Sequence, residues 1–152
     1  MYNILRTCGT HRDFLLLVHM LDAELARIDG DEHAFYHQYN SVDAIQHAVV
    51  LYQNAAPLAC GAIKAFGKNA MEVKRMYTMP QHRGHGLAGQ VLAALENWVV
   101  ELGFQRTVLE TGKRLPKAIA LYQKHSYHSI DNYGQYAGVA NSRCFEKILA
   151  TP

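Results

Sequence analysis

Residues 81–92 read QHRGHGLAGQVL, and Gly84, Gly86 and Gly89 stand there in the spacing G-x-G-x-x-G. Glycines so spaced suit one kind of chemistry. Without Cβ atoms they let backbone amides approach a phosphate, and a helix opening behind them favours the anion at its first turn. An acid, Glu110, follows the last glycine by about twenty residues, the separation at which a dinucleotide-binding turn places its ribose-binding carboxylate. A phosphate-bearing ligand is therefore the first expectation, and the neighbouring elements decide which kind.

The pattern along the chain predicts a short strand over Tyr2–Cys8 and an amphipathic helix from about Arg12 to Ile28. In that helix Phe14, Leu17, Val18, Leu21, Leu25 and Ile28 share a face. The polar, aromatic run DGDEHAFYHQYN reads as a loop with a short second helix. HAVVLYQ and LACGAIKAF form a hairpin about Asn54–Pro57, and AMEVKRMYTM is a further strand, stopped by Pro80. The helix that opens at the glycines carries Leu87, Val91, Leu95, Trp98 and Leu102 on one face and ends at Gly103. QRTVLET, the helical PKAIALYQKH, and two last strands at Tyr127–Ile130 and Arg143–Leu149 complete the order. The expected fold is mixed α/β, with a mainly antiparallel sheet of six or seven strands, about four helices and one strand–helix–strand crossover at its centre.

That order counts against a dinucleotide fold. Pro80-Gln81-His82-Arg83 separates the strand from the first glycine, and only 42 residues follow Glu110, too few for a second mononucleotide-binding half. Composition excludes other classes. Hydrophobic residues make up 49% of the 152 positions and charged ones 18%, an ordinary globular balance that predicts one domain over 1–152. Fifteen basic against thirteen acidic residues is too even for a nucleic-acid footprint, and no run of about twenty apolar residues offers a membrane span. FLLLVHML lacks the cationic lead of a signal peptide. Cys8, Cys60 and Cys144 are odd in number and far apart, which suits reduced thiols and a cytoplasmic protein.

Gln81-x-x-Gly84-x-Gly86 resembles the Q/R-x-x-G-x-G/A pyrophosphate loop of the GNAT family, the acetyl-CoA-dependent N-acetyltransferases. EVKRMYTMPQHRGHGLAGQVLAALE is similar to that family's fourth strand, loop and third helix, and VLETGKRLPKAIALYQKHSY to its fifth strand and fourth helix. NSRCFEKIL resembles the last strand of a branch carrying LETG and CFEK. The dense resemblance covers the C-terminal half; the first 45 residues agree in element order alone. It implies acetyl-CoA as cosubstrate, with no metal. Backbone contacts to the pantetheine arm would come from Met76, Tyr77 and Thr78, and a pyrophosphate site from Arg83, Gly84, His85, Gly86, Leu87, Ala88 and Gly89.

Amide formation from a thioester needs a neutral amine and a proton for the departing sulfur. An alkyl amine with a pKa of about 10.4 is almost fully protonated at neutral pH, so a base or a water chain must act. By the resemblance Tyr122 donates the proton to sulfur and Glu110 serves as base, with Glu72 on the preceding strand as competitor. Ion pairing with Lys74, Arg75 or Arg114 is the structural alternative for either glutamate. Leu115 stands where many relatives have asparagine, and Ser126-Tyr127 where Gly-Phe is usual. The implied activity is direct acetyl transfer to a primary amine of a small or amino-acid-like molecule. A protein N-terminus or lysine as acceptor, and a non-catalytic acyl-CoA-binding domain, are the alternatives. Neither a nucleic-acid nor a membrane partner is expected, and the assembly is a monomer or homodimer. Asp29, Asp31, Glu32, Tyr36 and Tyr39 fall where this fold builds its acceptor site. His33 and His37, four apart, have a metal-compatible spacing but no matching Cys or carboxylate pattern; His82 and His85 suit the phosphate loop, His125 and His128 a surface.

Overall fold

The computed structural model describes residues 1–38 and 44–149. Seven strands form one sheet in the order β1-β2-β3-β4-β5-β7-β6. They are β1 (Tyr2–Thr7), β2 (His47–Gln53), β3 (Ala56–Phe66), β4 (Ala70–Thr78), β5 (Arg106–Gly112), β6 (His128–Ile130) and β7 (Ser142–Ile148). The helices are α1 (Arg12–Asp29), α2 (His33–His37), α3 (Leu87–Glu101) and α4 (Pro116–Lys124). The pairs β1/β2, β2/β3, β5/β7 and β6/β7 are antiparallel, and β4/β5 is parallel. The expected mixed α/β architecture and its strand boundaries hold to within about two residues, the usual scatter of element ends. Three short 3-10 turns, at Gly30–Glu32, Pro80–His82 and Gly134–Tyr136, had no periodic signal and were not anticipated.

The chain divides into two compact units, Met1–Lys64 with Val73–Trp98, and Ala65–Glu72 with Val99–Pro152. In the first, alternation along β3 serves both sheet faces. Cys60 and Ala62 join Ala48 and Val50 of β2 under Phe14, Leu17, Val18 and Leu21 of α1, the face that the helical spacing picked out. Gly61, between them, turns to the opposite face. A Cβ built there would lie 2.5 Å from Met76 Sδ, 2.8 Å from a Leu95 methyl and 2.9 Å from a Val91 methyl. A glycine at this point is what lets α3 sit down on β3.

The second unit is organised by β5. Thr107, Leu109 and Thr111 occupy one face, Val108 and Glu110 the other. Opposite Leu109 in the ladder is Phe145, and opposite Glu110 is Cys144. Tyr122 of α4 packs on the first of these faces, its ring centroid 5.8 Å from Tyr127 and 6.5 Å from Phe145. The Tyr127 hydroxyl lies 2.7 Å from Thr107 Oγ1 and fixes the same layer. Ser126 adopts φ +73°, a left-handed conformation that strains the backbone of a residue with a Cβ.

Candidate active-site elements

The glycine loop belongs to the first unit. Gly84 and Gly86 have φ of +83° and +78°, and a Cβ added at either would meet nothing within 4 Å. The glycines are needed for the backbone turn and leave the space above it open. α3 begins immediately behind: Gln90 N–H donates to the Gly86 carbonyl at 3.2 Å. The amides of Leu87, Ala88 and Gly89 thus come before the helix's own ladder of bonds, where donors are available to an anion.

Arg83 is held at the mouth of this loop from three sides. Its Nε donates to the Thr78 carbonyl at 2.8 Å, and one terminal nitrogen lies 3.1 and 3.2 Å from the two Glu24 oxygens. Its guanidinium carbon stands 5.4 Å from the centroid of the Tyr77 ring. Its side chain is 44% exposed, so it can meet a ligand while remaining oriented. His85 Nδ1 lies 3.2 Å from the His82 carbonyl, which ties the loop to the preceding turn. Glu24, on α1, gave no sequence signal: its partner is 59 positions away.

Met76, Tyr77 and Thr78 follow a residue whose backbone conformation the sequence did not mark. Arg75 has φ +58°, left-handed within a strand and unusual for a long side chain. Its guanidinium, 1% exposed, forms an ion pair with Asp22 of α1, and its carbonyl accepts the Cys60 thiol at 3.4 Å. A bend this constrained sets how the three residues after it present their backbone. Of the three cations named as alternative partners of the glutamates, Arg75 is engaged by Asp22.

The other candidates belong to the second unit. Tyr122 is buried; burial, then the Glu110 carboxylate, pushes its phenol well above the ordinary range, so it keeps its proton at any physiological pH. Glu110 is half-buried on β5 and lies on the sheet face opposite the Tyr122 layer. Glu72 is nearly buried on β4, paired across the sheet with Val108. Its Oε2 accepts a hydrogen bond from the Tyr133 hydroxyl at 2.6 Å, from a residue 61 positions away. Tyr133 in turn stands between Phe66, at 4.7 Å, and Tyr136, at 5.9 Å. Burial, then Glu110 and Glu72 in that order, raise the Tyr136 phenol as well. Both carboxylates therefore act on Tyr136, and Glu72 on Tyr133 as well. Sequence reading missed Tyr133 and Tyr136; the aromatic spacing in NYGQY was the one available signal.

Of the anticipated acceptor residues, Asp31 is exposed, while Asp29 and Glu32 are half-buried. Tyr36 is buried in α2, and Tyr39 lies outside the described residues. The His33 and His37 rings stand 5.2 Å apart. Among the described residues no three His, Cys, Asp or Glu side chains are grouped to hold a metal ion. No described helix is long and apolar enough to cross a membrane. His125 is half-buried and His128 exposed.

Residues 14–127 match the family model described as "Acetyltransferase (GNAT) family". The chain belongs to this family, a class of acyltransferase enzymes. It is 30% identical over 102 residues to an IAA acetyltransferase of Azospirillum brasilense, covering 66% of this chain and 67% of that protein. Alignments to the curated relatives span between 36% and 67% of those proteins' lengths. Among solved structures, one assigned as an acyl-CoA N-acyltransferase from Klebsiella pneumoniae matches with a TM-score of 0.82 and 30% identity, covering 99% of each chain. A GNAT family acetyltransferase from Elizabethkingia anophelis, with acetyl-CoA bound, matches in fold with a TM-score of 0.70 at 16% identity over 97% of this chain and 98% of that one.

Proposed function

We propose that the chain, working as one acetyltransferase domain over residues 1–152, transfers acetyl directly from acetyl-CoA to a primary amine of a small or amino-acid-like molecule. The observation that carries this reading is the oriented Arg83 guanidinium beside two left-handed glycines and the free end of α3. In this reading Arg83 and the backbone of Gly84, His85, Gly86, Leu87, Ala88 and Gly89 hold the pyrophosphate. Met76, Tyr77 and Thr78 bond the pantetheine arm, and an amide there polarises the thioester carbonyl as an oxyanion hole does.

The C–N bond forms as the C–S bond breaks. Glu110, directly or through a water, takes the amine proton, and Tyr122 gives its proton to the departing sulfur; solvent exchange restores both. The thiolate, with a pKa of about 8.5, is a tolerable leaving group, so the tyrosine assists rather than permits the reaction. The three unpaired cysteines fit a cytoplasmic setting. Thiol release from acetyl-CoA with a panel of small amines tests the reading, alongside calorimetric titration with coenzyme A and NADH. Amine-dependent thiol release and coenzyme A binding are expected. Tight NADH binding without a coenzyme A response would contradict the ligand assignment, and coenzyme A binding with no turnover would leave a regulatory domain.

A further inference from the structure

Arg75 carries two costs that an ordinary strand residue avoids. Its φ of +58° is left-handed, and its buried Nε finds no hydrogen-bond partner among the described residues. Both persist because the residue is gripped from outside its own strand. Nη2 of the buried guanidinium donates to Asp22 Oδ1 on α1, and the Arg75 carbonyl accepts the Cys60 thiol of β3 at 3.4 Å. Asp22 lies one helical turn beyond Val18, at the margin of the α1 face that packs on Cys60 and Tyr77. All of these residues belong to the first unit. Strain that the surroundings over-determine in this way points to a use for the bend.

What the bend fixes is one peptide plane. The Arg75–Met76 bond is trans, so the Met76 N–H points opposite to the Arg75 carbonyl, away from the Cys60 thiol. The side chains on either side follow the same turn. Arg75 and Tyr77 face α1, whereas Met76 lies on the α3 side, its Sδ 2.5 Å from the place a Gly61 Cβ would take. At the far end of the stretch, Arg83 Nε donates to the Thr78 carbonyl and Nη2 to Glu24, two positions along α1 from Asp22. α1 thus braces both ends of Met76–Thr78, each time with a carboxylate on an arginine.

We propose that Asp22 is a positioning residue for the cosubstrate: through Arg75 it holds the left-handed bend that aims the Met76 N–H at the thioester carbonyl of acetyl-CoA. This rests on the N-acetyltransferase reading above, in which an amide of this stretch polarises that carbonyl. Asp22 acts through Arg75 and not on the reacting atoms. A donor that stabilises developing charge has to be aimed beforehand, and a peptide plane free to swing loses that preorganisation. An ion pair that served only to fasten α1 to the sheet would need neither the left-handed backbone nor the thiol on the carbonyl.

The test is the infrared band of the thioester carbonyl in carbonyl-labelled acetyl-CoA bound to the protein, read beside calorimetric affinity and melting temperature. A hydrogen bond to a carbonyl lowers its stretching frequency, so the band reports the aimed amide with no acceptor present. In the wild type it should lie below the band of free acetyl-CoA. Asp22→Asn should lose about half of that displacement or more, with affinity for acetyl-CoA weakened about fivefold or more. Glycine adopts positive φ without strain, so Asp22→Asn combined with Arg75→Gly should recover the displacement although the ion pair is gone. A pair that only fastens the helix would lower the melting temperature in both variants and leave the band where it is in the wild type. An unchanged band in Asp22→Asn, or the same loss in the single and double variants, would overturn the proposal. If Asp22→Asn does not fold, Asp22→Glu, which keeps the charge and displaces the guanidinium, should lose part of the displacement, and an unchanged band there would overturn it equally. Acetyl-CoA bound to the wild type with no displacement would refute the aimed amide alone. No acetyl-CoA binding at all would overturn the N-acetyltransferase reading, and this proposal with it.

Discussion

The glycine loop and the tyrosine–glutamate cluster are built in opposite ways. The loop, in the first unit, presents backbone amides and one partly exposed arginine, and its parts are consecutive from Arg83 to Gly89. The cluster, in the second unit, brings together Glu72, Glu110, Tyr133 and Tyr136, residues far apart in the chain, with Tyr122 of α4 on the other face of β5. Backbone recognition of an anion depends on local dihedrals, so its residues must be adjacent. Proton transfer depends on environment, which burial and strand register create from residues far apart in the chain. The account therefore assigns cosubstrate affinity to the first and reaction rate to the second, an assignment that substitutions can separate.

The largest expected effect lies in the cluster. Glu110→Gln keeps size and most packing but removes the base, and turnover should fall by about 10²-fold or more with acetyl-CoA affinity nearly intact. Steady-state kinetics beside a coenzyme A titration measures both. Should the affinity fall and the rate survive, the division of labour is wrong; should Glu72→Gln show the large rate loss instead, the base is Glu72.

The reciprocal experiment is Gly86→Val. At φ +78° a β-branched side chain is strained, and its Cβ would fill the space left open for a ligand. Coenzyme A affinity should weaken about 10- to 100-fold while the domain stays folded, its melting temperature lowered only by backbone strain of about 1–3 kcal/mol, because an added Cβ touches no other atom. A large loss of folding with unchanged affinity would make Gly86 a structural residue.

The same contrast governs what could be read from sequence. The β-branched apolar run in HAVVLYQ and helical spacing from Phe14 to Leu21 are local patterns, and both elements formed where they pointed. The loop was equally legible, since its glycines and following helix are contiguous. Arg75 was not: nothing in EVKRMYTM marks a left-handed arginine, whose partner Asp22 is 53 positions away. Tyr133 and Tyr136 lie on an aperiodic stretch between β6 and β7, and their meaning depends on a bond to a strand 61 positions earlier. Glu72 itself was visible, but the bond that fixes its carboxylate was not.

A smaller effect tests whether strain at the edge of the cluster matters. Ser126→Gly relieves φ +73° and should raise stability by about 1 kcal/mol, seen as a higher melting temperature, with kinetics unchanged. A change in turnover without a change in stability would instead tie this position to the reaction.

The most direct test of the central claim is the single-turnover rate of Tyr122→Phe at saturating acetyl-CoA. Phenylalanine retains the ring that packs on Tyr127 and Phe145 and removes the hydroxyl alone. The account predicts a fall of roughly 10- to 10³-fold in the chemical step, with coenzyme A affinity and melting temperature close to wild type. A single-turnover rate equal to wild type would contradict it, leaving Tyr122 as a core residue and the proposed reaction without its acid.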